Sequence, residues 1–362
     1  MVSNSFGDRI MRGIQGNIAS LFCGAGGLDL GFIQAGFKIS YAVDSDWFAC
    51  VTYAVNHGLR PEWRDISYAY RRPGRLEYDV VIGGPPCQGV SNYRGRSRRD
   101  PSAMSGFAHF FKFVRKARPL CFVMENVRGL ATMYGGRYLS FCLDQALASG
   151  YNAVYFTLNA ACFGVAQSRT RIFIVGFRHD VDARFAIPSP THGPRASRPY
   201  RTIRDALRRV DEPETNDTCK EGFGPVYLSR NRRRGWGELS WVIPACCKDV
   251  PLHPDSPPLI KVGTYRWALS APASKYRRFS WQECAALQGF PRRYVFVGSL
   301  RSRYRLVGNA VPPPLAEAVA RSLRDAKVTE LRQPYGLLEV EAGARPWRVG
   351  GVGAVEFNYR QC

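Results

Sequence analysis

Over its first half the chain alternates short apolar runs with stretches of helical period. Asn17–Phe22 reads as a buried strand, and Leu28–Ala35 as a helix closed by Gly36. Lys38–Val43 predicts a second strand, with a helix from Trp47 to about Asn56 behind it. Tyr78–Ile82 predicts a third strand, which stops at Gly83-Gly84-Pro85-Pro86. A polar Arg/Ser/Gly stretch then runs to about Ser105, longer than an ordinary connection, and reads as a functional loop. Phe107–Ala117 and Tyr138–Ser149 have helical spacing, while Leu120–Glu125, Asn152–Leu158 and Arg171–Phe177 have the look of strands. Repeated strand–helix units predict an α/β fold with a mostly parallel, Rossmann-like sheet and helices on both faces.

The texture changes after Phe185. From Pro188 to about Arg277 the chain is rich in Pro, Arg, Trp and turn residues, with weak periodicity, and predicts a smaller, irregular β-rich domain. Helical pattern returns at Trp281–Leu287 and Pro314–Arg324. The expected division is residues 1–187 plus 303–330 as one domain, 188–302 as a second domain with its hinge, and 331–362 as a tail without a clear period.

Composition narrows the classes. The chain has 362 residues, 45% hydrophobic and 13% aromatic, which excludes intrinsic disorder for most of it and exceeds a single core. No stretch approaches the roughly 18 apolar residues of a membrane span, so no membrane partner is expected. The Gly-rich run from Ile18, interrupted by Asp29, suits a strand and turn better than a secretory signal. The 11 cysteines are odd in number and never spaced C-x-x-C, so neither a disulfide framework, a zinc ribbon nor any other metal site is expected, and a reducing cytoplasm is the simpler setting. A formal net charge of +22 points to a polyanionic partner or to a host-wide composition bias.

Four motifs carry candidate chemistry. Phe22-Cys23-Gly24-Ala25-Gly26-Gly27 lies between a strand and a helix, where glycines admit a ligand close to the backbone and the helix offers free N–H groups. Asp44 ends the next strand, where an acid can accept from a ribose hydroxyl. These residues fit a nucleoside cofactor, NAD among them, or a tight structural turn. Cys87, after two prolines at a strand's carboxyl end, points into the ligand crevice of an open sheet and makes a poor core cysteine. Glu125, at the end of the next strand, is a candidate general acid or a salt-bridged strand end. In Gln167-Ser168-Arg169-Thr170-Arg171, alternation puts Arg169 and Arg171 on one face, so a carboxylate such as Glu125 or a polar substrate should join them, unless the strand is an exposed basic edge.

Together these blocks resemble the DNA (cytosine-5)-methyltransferases of the bacterial or viral modification type, in the family's order, from Asn17 to about Ser322. Two late blocks share the likeness: Arg278 to Pro291, and Gly308-Asn309-Ala310-Val311-Pro312. The resemblance implies S-adenosylmethionine as cofactor, over Phe22, Gly24, Gly26 and Gly27, with Asp44 on the ribose, Asp65 near the adenine, and Pro86 and Asn309 completing the pocket. It implies Cys87 as nucleophile at cytosine C6, Glu125 at N3 and the exocyclic amine, Arg169 at the base carbonyl and Arg171 orienting the catalytic groups. The target base would be flipped out of the duplex. The loop with Gln88, Ser91 and Arg94 would close over it.

The middle domain would then recognise the target. Leu228–Trp236 resembles the subgroup methylating GGCC, and Arg232 and Arg234 are the base-reading candidates, or part of a phosphate-binding strip. A departure stands at Pro244-Ala245-Cys246-Cys247-Lys248, where that subgroup has a stretch ending in Arg, since Lys248 cannot form a guanidinium fork. The partners implied are double-stranded DNA and a cognate restriction endonuclease, with the protein monomeric and at the nucleoid, or in a host cell if viral. A tRNA cytosine-5 methyltransferase and a catalytically silent DNA-binding paralogue are the alternatives. The charge fits DNA: residues 188–302 hold 20 basic and 10 acidic side chains, the densest excess in the chain.

Overall fold

The computed structural model describes residues 14, 16–71, 76–86, 103–214, 216–330, 338–342, 345–349 and 356–358. They form two compact units, one of residues 1–159, 170–189 and 315–361, the other of 160–169 and 190–314. This division departs from the expected boundaries. Residues 160–169 and the whole segment to Pro314 belong with the second unit.

The first unit is built on an eight-stranded sheet in the order β14-β6-β7-β5-β4-β1-β2-β3. The strands are β1 Asn17–Leu21, β2 Lys38–Asp44, β3 Glu62–Trp63, β4 Val80–Gly83, β5 Cys121–Val127, β6 Tyr151–Asn159, β7 Thr170–Arg178 and β14 Glu356–Asn358. From β5 to β3 the neighbours are parallel, and β7 runs antiparallel to both β5 and β6. Val80, Val81 and Ile82 are wholly buried, as a central parallel strand covered on both faces requires. The helix Ala103–Ala117 covers one face. Its Phe107, Phe110, Phe111, Phe113 and Val114 are wholly buried, and Phe110 and Phe111 meet Phe122 of β5 edge to face. A four-stranded sheet, β11-β8-β12-β13, adds β8 Val181–Ala186, β11 Lys327–Glu330, β12 Leu338–Ala342 and β13 Arg345–Val349. The stretch after Arg332 that showed no period therefore contributes three strands.

The second unit is less regular than the β-rich domain its sequence suggests. Its one described strand pair is the hairpin of β9 Leu259–Gly263 and β10 Arg266–Leu269. Main-chain carbonyls are instead gathered by buried arginines: Arg278 donates to Lys248 O, Cys219 O, Glu221 O and Gly222 O. Proline and glycine interrupt strand pairing there, and guanidinium forks satisfy carbonyls that a sheet would otherwise take. The late block folds as the helix Trp281–Leu287, opened by a capping box between Ser280 and Glu283. Among the described cysteines eight are free thiols and Cys162 is disulfide-bonded.

Candidate active site

The loop after β1 is held in a shape that glycine favours. Gly24 and Gly26 have φ of 55° and 82°, and even Phe22 has φ 54°, a conformation costly for a residue with a side chain. A Cβ on Gly24 would meet nothing within 4 Å, so the loop has open space before it. Gly26 caps the helix Gly27–Gln34, whose first N–H groups face the same end. Asp44, at the end of β2, accepts from Gly24 N and Asp46 N, each at 2.8 Å. Burial pushes the Asp44 carboxyl up, and those two N–H groups oppose the push. A helix N-terminus, an uncrowded glycine and an oriented carboxylate make a cradle of the kind a nucleoside requires.

Asp65 is exposed and caps the short helix Ile66–Ala69, where the Ser67 hydroxyl, and after it Ser67 N at 2.8 Å, hold its carboxyl below the usual range. Pro86 is exposed at the end of the described turn. Asn309 ends the helix Leu300–Asn309 in the second unit.

Glu125 is buried at the carboxyl end of β5, and its Oε1 lies 3.0 Å from Arg171 Nε. Register explains the pairing. Val127 stands opposite Arg171 and Glu125 opposite Phe173, so Arg171 is Glu125's diagonal neighbour on one face. Gly84 follows the adjacent strand β4, and a Cβ there would stand 3.2 Å from Glu125 Oε2. Asn126 Nδ2 donates to Pro85 O at 2.9 Å, binding the same turn to β5. The Pro-Cys turn is thus pinned against Glu125 as far as Pro86. Cys87, Gln88, Ser91 and Arg94 lie outside the described residues.

Two expectations are corrected. Arg169 does not lie beside Arg171 on the strand. It precedes β7, is 2% exposed, and donates to Ile243 O, Gly308 O and Ala310 O at 2.8 to 3.1 Å. With its fork turned onto main-chain carbonyls, it is a framework residue of the second unit and not a contact for a base. Arg232 is likewise buried, bonded to Tyr227 O and Asp249 O and stacked 4.6 Å over the Tyr227 ring, so it cannot read a groove edge. Arg234 is half-buried, donates to Glu238 at 2.6 Å and lies 3.8 Å over Trp241. Exposed instead are Arg230 and the hairpin residues Lys261, Val262, Tyr265 and Arg266, Tyr265 at 80%. Ile260 and Val262 are exposed along with Lys261, so both sides of this strand meet solvent, which apolar–polar alternation does not predict.

Sequence reasoning also missed the glutamines. Gln167 accepts from Ile243 N and donates to Gln288, which donates to Val307 O, all buried. The glutamine that opens the Gln-x-Arg-x-Arg block and the one that ends Leu287-Gln288-Gly289 are thus two halves of one contact.

The family model described as C-5 cytosine-specific DNA methylase matches residues 16–325. The type II methyltransferase M.MthTI of Methanothermobacter thermautotrophicus is 37% identical over 329 residues, covering 85% of this chain and 97% of that protein. M.FnuDI of Fusobacterium nucleatum is 34% identical, covering 85% and 94%. The fold is shared with the S. pombe Dnmt2 methyltransferase (TM-score 0.61, 16% identity, covering 86% and 98%) and the Entamoeba histolytica methyltransferase EhMeth (TM-score 0.59, 15% identity, covering 86% and 98%).

Proposed function

Because the chain belongs to the C-5 cytosine-specific DNA methylase family, we propose that its methylation of cytosine C5 in duplex DNA runs through Cys87, Glu125 and Arg171. The observation that carries this reading is the buried Glu125–Arg171 pair, with Gly84 of the Pro-Cys turn packed directly against the carboxylate. Cytosine C5 is a weak nucleophile until a thiolate adds to C6 and pushes electron density onto C5. Cys87 supplies that thiolate. Glu125, aimed by Arg171, engages N3 and the exocyclic amine and stabilises the electron-rich adduct. Once C5 carries the methyl group, loss of its proton to solvent and expulsion of the Cys87 sulfur as thiolate restore the ring. C6 is out of reach inside a stacked duplex, so the base must be turned out.

S-adenosylmethionine, when bound, supplies the methyl group. Gly24, Gly26 and Gly27 would hold it, with Asp44 accepting from its ribose and Phe22, Asp65, Pro86 and Asn309 assigned by likeness. In trapping experiments, 5-fluorocytosine DNA should form a covalent complex with the wild type and none with Cys87→Ala, which should keep DNA binding. Methylation by Cys87→Ala, or a wild type that never traps, would overturn the reading.

The likeness of Leu228–Trp236 supports a GGCC-type target, and the type II names of the relatives support a restriction-modification setting with a cognate endonuclease. With Arg232 buried, DNA contact falls to Arg230, Lys261 and Arg266. Bisulfite sequencing of DNA from expressing cells reports the site, and methylation confined to a different sequence would refute GGCC.

A further inference from the structure

Outside the catalytic residues, the second unit brings Cys219, Glu221 and Cys247 together, with their ligand atoms all within 4.8 Å of one another. Two segments far apart in sequence meet there. One is Cys219–Gly222 and the other is the turn Cys247–Asp249. A single buried guanidinium holds both, because Arg278 donates to Cys219 O, Glu221 O and Gly222 O on one side and to Lys248 O on the other. Cys219 and Cys247 are buried free thiols in hydrogen-bond contact, while the Glu221 carboxylate stands at the surface, 3.0 Å from Arg301.

We propose that Cys219, Cys247 and Glu221 form a binding site for one thiophilic divalent ion of the zinc class. Two thiolates and one carboxylate are a donor set that suits such an ion, and the exposed Glu221 side leaves the fourth corner to water. Binding requires no oxidant: each thiol loses its proton to solvent as its sulfur takes the metal. The resulting centre carries one net negative charge, and Arg278 and Arg301 lie beside it to balance it. The spacing of 28 residues between the two cysteines hides this site from any search for paired cysteine motifs. Its effect would be structural. The unit has little regular secondary structure, and one of its hydrophobic clusters has just four buried residues, Tyr227, Leu252, Leu259 and Tyr276, with partly buried neighbours such as Phe223 and Trp267 around them. A metal joining two of its segments would stabilise the folded unit in proportion to metal occupancy.

The test uses the reduced full-length protein, stripped of metal and titrated anaerobically with Co²⁺, then with Zn²⁺. One Co²⁺ per chain should bind with a thiolate charge-transfer band, Zn²⁺ should displace it, and Zn²⁺ should raise the Tm of the stripped protein. Cys219→Ser and Cys247→Ser should each lose the band, and Cys142→Ser should keep it. Glu221→Gln, at an exposed position whose surface pair with Arg301 contributes little to stability, should bind Co²⁺ more weakly with little change in the metal-free Tm. The proposal fails if no band appears, if the band survives Cys219→Ser together with Cys247→Ser, or if Glu221→Gln binds as the wild type does. It fails equally if the purified protein holds no metal and peptide mapping finds Cys219 and Cys247 joined as a disulfide.

Discussion

Removing Arg169 and removing Arg171 should damage the protein in different ways, although one residue separates them. Arg169→Ala leaves the buried carbonyls of Ile243, Gly308 and Ala310 without a donor, at a cost of roughly 3–5 kcal/mol. Denaturant unfolding should show that loss. Arg171→Ala instead takes the guanidinium from the buried Glu125 carboxylate, so kcat of the folded protein should fall by ~100-fold or more, on top of a loss of stability. Wild-type kcat in the folded fraction of Arg171→Ala would contradict the division of roles.

Asp29 offers a second test at this scale. It sits in the first turn of the helix Gly27–Gln34, wholly buried, accepting from Tyr53 Oη at 2.8 Å, and burial raises its carboxyl to about 6. Because the folded state favours the protonated acid, the stability it contributes is present below its unfolded value and is lost as pH rises through about 6. The whole shift is worth at most about 3 kcal/mol, and the helix dipole, which favours an anion there, offsets part of it. Asp29→Asn should therefore be more stable than the wild type at pH 8 and lose that advantage near pH 4–5, measured as Tm across the range. A constant difference at every pH would show that Asp29 does not titrate there.

At the scale of elements, the helix Leu300–Asn309 leaves no room for a single added methyl group at Gly308. A Cβ on Gly308 would collide with the Pro244 backbone, and Gly308 O is one of the carbonyls that Arg169 holds. Gly308→Ala should therefore lower Tm by several degrees and reproduce part of the Arg169→Ala loss, whereas Gly36→Ala, with open space before it, should show only the strain of its positive φ. That helix was not legible in the sequence. Arg301, Arg303 and Arg305 break up the apolar positions around Tyr304, Leu306 and Val307, so the buried stripe is too narrow to show a helical period. The longer first-unit strands and helices were legible from apolar runs and helical spacing, whereas the two-residue β3, the one-turn helices and β8 were not. The final strands were not, since β12 to β14 are short, β12 and β14 pair with β8 and β6 far away in the chain, and β13 pairs with β12 alone. Of the candidate site, Glu125 and the glycine loop could be read from strand ends alone. Which of the two arginines met Glu125 could not, because that depended on where β7 begins.

For the whole molecule, the net charge of +22 becomes a statement about which cations are free to meet phosphate. Arg169, Arg232 and Arg278 are buried on main-chain carbonyls, so they add to the count without contributing to a phosphate contact. Arg230, Lys261 and Arg266 stand exposed in the unit where the excess is densest. Each phosphate neutralised steepens the salt dependence of binding by about 0.9 log unit per log unit of salt. Lys261→Ala and Arg266→Ala should each weaken duplex binding about equally on all sequences and flatten the slope by about one such increment. Arg232→Ala should instead lower Tm, and leave the slope unchanged in the fraction that stays folded. Binding isotherms at four or more salt concentrations separate these outcomes. A slope that drops on losing Arg232 but not Lys261 or Arg266 would return base or phosphate contact to the buried run and remove it from the hairpin.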